Sequence, residues 1–401
     1  MTTLRVSGTG RDRPGIAADL FDRLSSVDLE IRDVEQLQIH GRLLLCVLLD
    51  GAVAGDLERV KEALVADPAR PLPSEIDVSV AEAGEGAPRP HGERHLVTIL
   101  GHLPADRLAS LFETVGRVGA NVDRIVRLAR YPVTSYELTI SGGDPAGLRR
   151  EIAVRAAEVG VDAAVQRAGL HRRAKHLIVL DVDSTLVQGE IVDLLAAKAG
   201  CLDEVQALTA SAMAGETDFE SALRERVALL AGLDAHALDQ VREELALTPG
   251  ARTLVRTLGR LGYVTALVSG GFGQVIQPLV EDLGIDFLAA NTLEIRDGRL
   301  TGHLVGPVVD RAGKASALAR FAAEARVPLA RTVAVGDGAN DLDMLAMAGL
   351  GIAFNAKQVV RDAADAALNV PYLDAILFLL GIPREEVEAA DADDEPAGVR
   401  S

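Results

Sequence analysis

An internal repeat occupies the first 170 residues of the chain. Apolar residues alternate in some segments and recur every three to four residues in others, and each copy has the order strand, helix, strand, strand, helix, strand. The second copy follows about 90 residues after the first. We therefore predict two ferredoxin-like βαββαβ modules, over residues 1–83 and 93–170. The segment AEAGEGAPRPHGE, at 81–93, has the composition of a linker between them.

After residue 175 the pattern changes to strands that alternate with helices. This alternation predicts an α/β domain over 175–383 with a Rossmann-like, doubly wound and mainly parallel sheet. Residues 191–245 interrupt the alternation with helical sequence and no strand. We expect them to form a helical cap over the carboxyl ends of the strands, where the ligand sites of such sheets lie. Residues 384–401 are strongly acidic, and we expect a disordered tail. The predicted strands of the α/β domain span residues 177–180, 264–268, 287–289, 332–335 and 351–354.

The composition disfavours several classes of protein. The formal net charge is −18, and aromatic residues make up 3% of the chain without any tryptophan, which argues against a nucleic-acid-binding groove. No apolar run reaches the ~18 residues of a membrane span, and Met1 leads directly into patterned sequence without a secretory signal. Two cysteines, Cys46 and Cys201, are too few for a disulfide framework. We expect a cytoplasmic protein that acts on a small molecule, with no nucleic-acid or membrane partner.

Two acidic segments each follow an apolar strand. Asp181 and Asp183 come directly after the first strand of the α/β domain, and the segment GDGAND, which contains Asp337, comes after a later one. Side chains at the carboxyl ends of parallel strands meet at one edge of the sheet. Carboxylates gathered without a basic partner favour a divalent cation with oxygen ligands, such as Mg²⁺. Taken alone, Asp183 and Ser184 would also suit a helix N-cap, and GDGAND a glycine turn.

Two further segments supply groups that suit a phosphate. Ser269 and Gly270, in the segment VSGG, follow a strand and offer a hydroxyl and an open backbone N–H at the start of a helix. Lys314 lies near the start of a predicted helix over 313–321, where the helix dipole disfavours a cation. A solvated surface lysine is the alternative interpretation at this position.

Together these residues predict phosphoryl transfer, in which a protein positions groups and neutralises charge around the phosphoryl group. Ser269, the Gly270 amide, Lys314 and Mg²⁺ would hold the phosphate oxygens, and Asp181 would attack the phosphorus in line. An alkoxide is a poor leaving group, so a protonated carboxyl is needed beside it, and Asp183 lies next to the nucleophile in sequence. Asp183 would then accept a proton from the water that hydrolyses the aspartyl-phosphate.

The segments DVDSTLVQGE, VSGG and GDGANDLDML, together with Lys314, resemble the four motifs of the haloacid dehalogenase superfamily. The first motif is similar to that of its phosphoserine phosphatases, and the resemblance covers residues 175–383. It implies that Asp181 is the nucleophile and that Asp183 is the acid and base. It further implies that Mg²⁺ is bound by the carboxylates of Asp181 and Asp337 and by the backbone carbonyl of Asp183.

The same resemblance gives roles to two more residues of the last motif. Asn340 is implied to lie near the phosphate and near Lys314. Asp341 is implied to support the metal's ligands from behind, without touching the ion. Neither role follows from spacing alone.

Substrate choice is expected to reside in the cap. A selective site for serine phosphate needs one anion for the ammonium and one cation for the carboxylate. The resemblance assigns Glu190 to the amino group, Arg226 to the carboxylate, and Met213 and Phe219 to an apolar lid. From spacing alone, Met213 and Phe219 would be core residues and Arg226 a surface arginine. The implied reaction is hydrolysis of O-phospho-L-serine to L-serine and phosphate, a phosphoric monoester hydrolysis and the last step of L-serine biosynthesis.

The first repeat carries a second resemblance. The segment GRDRPGI, with Gly15, lies between its first strand and first helix and resembles the loop of ACT regulatory modules, which bind amino acids. The matching segment of the second repeat, with Gly101, lacks the DRPG order, although its glycine also allows backbone to approach a ligand. Two such modules ahead of a phosphatase resemble the actinobacterial phosphoserine phosphatases, which implies an L-serine effector and a homodimer through the ACT domains. An isolated Pro-Gly pair can also be a simple turn.

Three other chemistries lack their motifs. The dinucleotide pattern GxGxxG is not satisfied at 268–273, the histidines have no zinc-binding spacing, and no GxSxG elbow surrounds Ser184 or Ser269. Two alternatives stay open. One is a phosphatase or phosphotransferase that acts on another phosphorylated amino acid or transfers to an alcohol such as homoserine. The other is an amino-acid-sensing regulatory protein with a catalytically silent phosphatase domain.

Overall fold

The structure is a computed structural model that describes residues 2–65, 76–83, 93–169, 172, 174–213 and 219–394. It divides into two compact units, residues 1–91 and 92–401. Within the described ranges, no helix is both long and apolar enough to cross a membrane.

The first unit contains a four-stranded antiparallel sheet with the order β2-β3-β1-β4, as expected of a βαββαβ module. Alternate residues of β1 and β3, such as Leu4, Val6 and Val47, are buried in a core with the two helices. This alternation is the reason that apolar periodicity predicted these strands. The elements are β1 Thr2–Arg11, a helix Ile16–Leu24, β2 Glu30–Ile39, β3 Arg42–Ala52, a helix Asp56–Val65 and β4 Ile76–Ala83.

The second repeat has the same order of elements. Its second helix begins with Pro145 after Asp144, whose Oδ2 accepts a hydrogen bond of 2.7 Å from the Gly147 N–H. A capping carboxylate followed by proline is a strong helix start. The elements are β5 His95–Gly101, a helix Ala105–Arg117, β6 Ala120–Ala129, β7 Thr134–Gly142, a helix Pro145–Val159 and β8 Asp162–Arg167.

The α/β domain contributes seven strands to an eleven-stranded sheet with the order β12-β11-β10-β9-β13-β14-β15-β8-β5-β7-β6. Six of the seven pair in parallel, which confirms the predicted mainly parallel sheet, and β12 pairs antiparallel with β11. The strands are β9 Leu177–Asp181, β10 Val264–Phe272, β11 Phe287–Arg296, β12 Arg299–Val305, β13 Thr332–Gly336, β14 Gly351–Phe354 and β15 Ala366–Leu368.

The second module and the α/β domain share this sheet. Ala366 of β15 pairs antiparallel with Ala164 of β8. Beside this pair, the Asp162 carboxylate accepts hydrogen bonds of 2.6 Å from both the backbone N–H and the side-chain amide of Asn369. Gln166 Nε2 also donates to the Leu379 carbonyl at 2.8 Å. The domain boundary predicted near 170–175 therefore crosses one continuous sheet.

Four helices lie where the cap was predicted, over Ile191–Ala199, Leu202–Met213, Phe219–Ala228 and His236–Glu244. Two short segments connect this cap to the sheet. They meet at an isolated bridge between Val187 and Leu247, and Thr248 Oγ1 donates to the Thr185 carbonyl at 2.7 Å. The other helices are Ala251–Arg260, Gly273–Leu283, Arg311–Glu324, Leu342–Met347, Gln358–Ala363, Ile376–Leu379 and Arg384–Asp394.

Two sequence predictions need correction. The strand β12 was missed, although Asp297 and Gly298 form its hairpin turn with φ of 49° and 74°, and Asp-Gly is a strong hairpin signal. The prediction of a disordered tail is wrong for Arg384–Asp394, which is helical. Val387 is buried there, and Asp391 pairs with Arg256 and Arg260 at 2.5 Å, so the acidic residues find basic partners. Residues 395–401 lie outside the described part of the chain.

Candidate active site

Three neighbouring parallel strands deliver the acidic and hydroxyl side chains to one edge of the sheet. β9 lies between β10 and β13, and Asp181 ends β9 while Asp337 follows β13. Ser269 directly follows Val268, the last residue of β10 that pairs with β9. Every residue of β9 and β13 is buried, which matches the unbroken apolar runs in the sequence. The polar groups of the site therefore follow these apolar runs. Asp181 and Ser269 are buried, and Asp337 is half-buried.

A tight turn over Val182–Leu186 shapes the first acidic segment. Ser184 has a left-handed backbone with φ of 57°, which is uncommon for a residue with a side chain and occurs often at functional sites. Asp181 Oδ1 accepts a hydrogen bond of 2.8 Å from the Val182 N–H. Asp183 Oδ1 accepts one of 2.8 Å from the Ile191 N–H, at the start of the cap. The turn thus holds both carboxylates by backbone donors.

Lys314 is a fully buried cation between two carboxylates. Its Nζ lies 2.7 Å from Oδ1 of Asp181 and 2.7 Å from Oδ1 of Asp341. Burial by itself would lower the pKa of Lys314, but the two carboxylates outweigh it and raise the pKa above its ordinary value. The alternative of a solvated surface lysine is therefore excluded.

Asp183 contacts Ser269, which sequence analysis predicted to bind phosphate. Ser269 Oγ donates to Asp183 Oδ2 at 2.9 Å, and the Gly271 N–H donates to Ser269 Oγ at 2.7 Å. Burial raises the pKa of Asp183, while the hydrogen bonds from Ile191 and Ser269 and the charge of Lys314 partly oppose that rise. A carboxyl with a raised pKa is suited to giving and taking a proton.

Oxygens of Asp181, Asp337 and Asp341 lie within 4.8 Å of one another. Burial and the neighbouring Asp341 raise the pKa of Asp337 to about 6, and the same causes raise the pKa of Asp181 despite Lys314. A cation among these oxygens would relieve the repulsion, and an all-oxygen donor set suits a hard divalent ion. Asp341 belongs to this group, although sequence analysis expected it to stand behind the metal's ligands. Its other oxygen accepts from the Gly338 N–H at 3.0 Å.

Glu190 stands at the entrance to this group. Its Oε1 accepts a hydrogen bond of 3.1 Å from Ser184 Oγ. Glu190 is exposed, but desolvation, followed by the charges of Asp183 and Asp337, raises the pKa of its carboxyl to about 7. The residue therefore adds an anion at the boundary between the sheet and the cap.

Arg226 is a buried residue of the cap, whereas sequence spacing alone suggested a surface arginine. Its Nη1 donates to Thr209 Oγ1 at 3.3 Å and its Nε to the Ala222 carbonyl at 3.3 Å, and no described carboxylate pairs with it. Burial lowers the pKa of Arg226, and the charges of Glu190, Asp193 and Asp183 oppose that shift. The guanidinium is thus held near the acidic site with donor capacity left for an anion.

The remaining predicted residues are linked less directly to this cluster. Gly270 flanks Ser269 and offers its carbonyl to Asn291 at 2.8 Å, and Asn340 is half-buried within the last motif. The side chains of Met213 and Phe219 lie outside the described part of the structure.

The two predicted effector glycines belong to different units. Gly15 borders a cavity of about 290 Å³ in the first unit, together with Asp12, Arg13 and Gln36. Gly101 ends β5 in the second unit, where a Cβ would lie 3.7 Å from Val161. Both have a positive φ, of 94° and 133°, which favours glycine.

Three residues of the site were missed by sequence analysis. Thr185 is fully buried, with Oγ1 3.5 Å from Asp337 Oδ1. Gly336 is required because a Cβ there would lie 2.4 Å from the Asp341 carboxylate. Asn291 is buried in β11, and a lone amide directly after the apolar run 287–290 is the signal that could have found it.

Comparison with known families supports the two halves of the chain separately. Residues 178–346 match the haloacid dehalogenase-like hydrolases, and residues 2–70 and 93–166 each match an ACT domain family. The matches agree with the change of pattern seen along the sequence.

Two relatives align with nearly the whole chain. The phosphoserine phosphatase of Streptomyces coelicolor is 57% identical over 395 residues, which cover 98% of this chain and 96% of that protein. Phosphoserine phosphatase SerB2 of Mycobacterium tuberculosis is 48% identical over 402 aligned residues, with the same coverage of 98% and 96%. The unliganded structure of a probable phosphoserine phosphatase from Vibrio cholerae is 34% identical, has a TM-score of 0.58, and covers 74% of this chain and 88% of its own.

Proposed function

Because the chain belongs to the phosphoserine phosphatase family of haloacid dehalogenase-like hydrolases, with two N-terminal ACT domains, we propose that it hydrolyses O-phospho-L-serine through a phosphoryl group carried on Asp181. The observation that carries this proposal is the contact of Asp181 with Lys314 at 2.7 Å beside the bond between Asp183 and Ser269. These contacts bring together, at one edge of the sheet, a nucleophile, a cation, an acid and a hydroxyl that can donate a hydrogen bond to phosphate.

The metal site consists of oxygen ligands only. The carboxylates of Asp181 and Asp337 and the backbone carbonyl of Asp183 would hold Mg²⁺, and Asp341 would steady the site through Lys314 and the Gly338 N–H. Burial and the crowding of the carboxylates support this assignment, since together they raise the pKa values of Asp181 and Asp337. When bound, the ion supplies positive charge that neutralises the phosphate and the nucleophile.

Asp181 is the nucleophile of the first step. Its carboxylate oxygen forms a bond to phosphorus while the bond between phosphorus and the serine oxygen breaks. The Gly270 N–H, Lys314 and Asn340 hold the phosphate oxygens, and the Ser269 hydroxyl turns its proton from Asp183 to a phosphate oxygen when substrate binds. Lys314 is already in place, because its buried ammonium is fixed by Asp181 and Asp341 before substrate arrives.

Asp183 moves the proton in both steps. It first protonates the serine oxygen as that oxygen leaves, and it then takes a proton from the water that attacks the phosphorus of the aspartyl-phosphate. The water's oxygen displaces the Asp181 carboxylate, which returns to its starting state with release of phosphate. Two observations support this role. Asp183 follows the nucleophile by two positions in the sequence, and its carboxylate accepts hydrogen bonds from Ser269 and Ile191.

The cap selects the amino acid. Glu190 binds the substrate ammonium and Arg226 binds its carboxylate, and the water-excluding lid that the family resemblance assigns to Met213 and Phe219 stays a prediction. The supporting observation is that Arg226 is buried without a described acidic partner, near the charge of Glu190. A substrate carboxylate would supply the anion that the guanidinium lacks.

The ACT domains bind L-serine as an effector and join two copies of the chain. The cavity beside Gly15 supports the effector site, because it is lined by charged and amide side chains. Its volume of about 290 Å³ suits an amino acid. The edge strand β2 supports the homodimer, since Ile31, Leu37 and Ile39 are about half exposed along it. Titration calorimetry of the Gly15→Val variant with L-serine tests the effector site. Sedimentation of the Leu37→Lys variant tests the homodimer.

The central experiment measures phosphate release from O-phospho-L-serine in Mg²⁺. We expect Asp181→Asn to lower the rate at least 10³-fold, since an amide cannot carry the phosphoryl group. Asp343→Asn is the matched control, because Asp343 is an exposed aspartate of the same motif that pairs with Arg311. Full activity of Asp181→Asn would overturn the proposed nucleophile. Parallel assays with phosphothreonine and phosphotyrosine, and with homoserine as acceptor, separate hydrolysis of this substrate from the alternatives.

A further inference from the structure

Asn291 lies across a bulge from the segment Ser269–Gly271. β10 and β11 pair at Val268 with Ala289 and again at Phe272 with Asn291, so three residues of β10 oppose one of β11. The backbone groups of that segment leave the regular ladder and need other partners. The Asn291 side chain supplies one of them and is only 2% exposed.

Both polar atoms of the Asn291 amide are bonded. Nδ2 donates to the Gly270 carbonyl at 2.8 Å, and Oδ1 accepts from the Val309 N–H at 2.8 Å. Because one partner is an acceptor and the other a donor, a single orientation of the amide satisfies both. The side chain therefore joins the bulged part of β10 to the residues that lead into the Lys314 helix, which Asp310 caps.

The Gly270 carbonyl and the Gly271 N–H belong to one planar peptide group. In a trans peptide the two point in opposite directions. A carbonyl held by Asn291 therefore turns the N–H to the other side, where it donates to Ser269 Oγ at 2.7 Å. Ser269 Oγ donates in turn to Asp183 Oδ2 at 2.9 Å. One peptide group and one hydroxyl thus connect Asn291 to Asp183.

We propose that Asn291 is a positioning residue for the reaction, which fixes the peptide between Gly270 and Gly271 and thereby directs the Ser269 hydroxyl at Asp183. The inference rests on the proposed function, in which Asp183 moves the proton. Gly271 packs closely against both groups, since a Cβ there would lie 2.9 Å from both Asp183 Oδ2 and Ser269 Oγ.

The first test compares the side-chain amide of Asn291, a residue of β11, with that of Gln274, which bonds to β11. Asn291→Leu removes both hydrogen bonds, and Asn291→Asp keeps an acceptor for Val309 but cannot donate to Gly270 when ionised. Gln274→Leu is the matched control. Gln274 also bonds in two directions, to the Leu293 carbonyl at 2.7 Å and the Leu293 N–H at 3.3 Å, but it does not touch the segment Ser269–Gly271.

We expect kcat for phosphoserine to fall tenfold or more in Asn291→Leu, with KM changed less than threefold, while Gln274→Leu keeps its kcat per folded molecule. If Asn291→Leu does not fold, Asn291→Asp is measured in its place. In a double-mutant cycle, the loss should shrink to less than threefold when Ser269→Ala is already present, because the connection is then cut. The proposal would be overturned if Asn291→Leu lowered kcat by the same factor with and without Ser269→Ala, or if Gln274→Leu lowered kcat as much as Asn291→Leu does.

Hydrogen exchange of the Ser269–Gly273 amides tests the same contact without turnover. The Gly271 N–H is bonded in the native chain, so its exchange should speed up in Asn291→Leu and stay slow in Gln274→Leu. Unchanged exchange in Asn291→Leu refutes the positioning role whatever the activity. A native chain that releases no phosphate from phosphoserine refutes the proposed function instead, and the exchange experiment still decides the role of Asn291.

Discussion

Ser269 Oγ donates a hydrogen bond of 2.9 Å to Oδ2 of Asp183, although 86 positions separate the two residues in the chain. The bond exists because β9 and β10 are parallel neighbours, with Val268 paired to Asp181. Ser269 Oγ already accepts from the Gly271 N–H, so its proton is directed at the carboxylate. Asp183 is thereby held on one oxygen by Ser269 and on the other by Ile191.

Removing this hydroxyl should slow the reaction without unfolding the protein. We expect Ser269→Ala to lower kcat about 10- to 100-fold, because a hydrogen bond to a charged group is worth about 1.5–3 kcal/mol. The melting temperature should change little, since the Asp183 carboxylate keeps its bond to Ile191. Steady-state kinetics with phosphoserine measure the effect, and a loss below twofold would contradict it.

Lys314 should matter for stability as well as for activity. In Lys314→Met, Asp181 and Asp341 stay buried without their cation, which we expect to lower the free energy of unfolding by about 3–5 kcal/mol and to abolish phosphate release. Lys61→Met is the control, because its 2.8 Å pair with Glu58 is exposed and should cost less than about 1 kcal/mol. Urea unfolding measures both, and equal losses in the two variants would count against the buried-cation role.

The contribution of Arg226 should depend on the substrate carboxylate. We expect Arg226→Ala to raise KM for phosphoserine at least tenfold, and to change KM far less for phosphoethanolamine, which has no carboxylate. Arg224→Ala serves as control, since Arg224 is exposed on the same helix and pairs with Glu220 at 2.7 Å. If the two substrates lose affinity equally in Arg226→Ala, the guanidinium does not bind the carboxylate.

Lys175 should make stability depend on pH. Burial lowers its pKa from 10.5 to about 8, with Asp365 opposing the shift. Between these two pH values the unfolded chain binds more protons than the folded one, so the free energy of unfolding rises with pH across this window. Below the window, the full cost of burying the charged ammonium remains. The difference in unfolding free energy between the native chain and Lys175→Met should therefore shift in favour of the native chain by up to about 3 kcal/mol.

Denaturant unfolding of both chains at a series of pH values tests this point, because other titrating groups cancel in the difference. The Lys175 ammonium donates to the Ala330 carbonyl at 2.8 Å, so the substitution also removes one hydrogen bond at every pH. That loss moves the whole curve but not its slope. A difference that stays flat from pH 7 to 10.5 would show that Lys175 titrates normally.

Local patterning was enough to predict most elements of the fold. Apolar alternation identified both repeats, and unbroken apolar runs identified β9 and β13, because strands buried on both faces have no polar side. Elements that depend on distant partners were missed. β15 has only three residues, and the helix Arg384–Asp394 is stabilised by pairing of Asp391 with Arg256 and Arg260. No local signal in an acidic segment indicates such basic partners.

The sequence by itself determined which side chains stand at the ends of the strands, since the strand period and the residue order set that directly. Only the tertiary structure decided which of them touch. Lys314 is buried between Asp181 and Asp341, and Asn291 bonds both to Gly270 and to Val309. These contacts join segments far apart in the chain, and they depend on strand order and register. Strand order and register are properties of the assembled sheet, and no single segment of sequence encodes them.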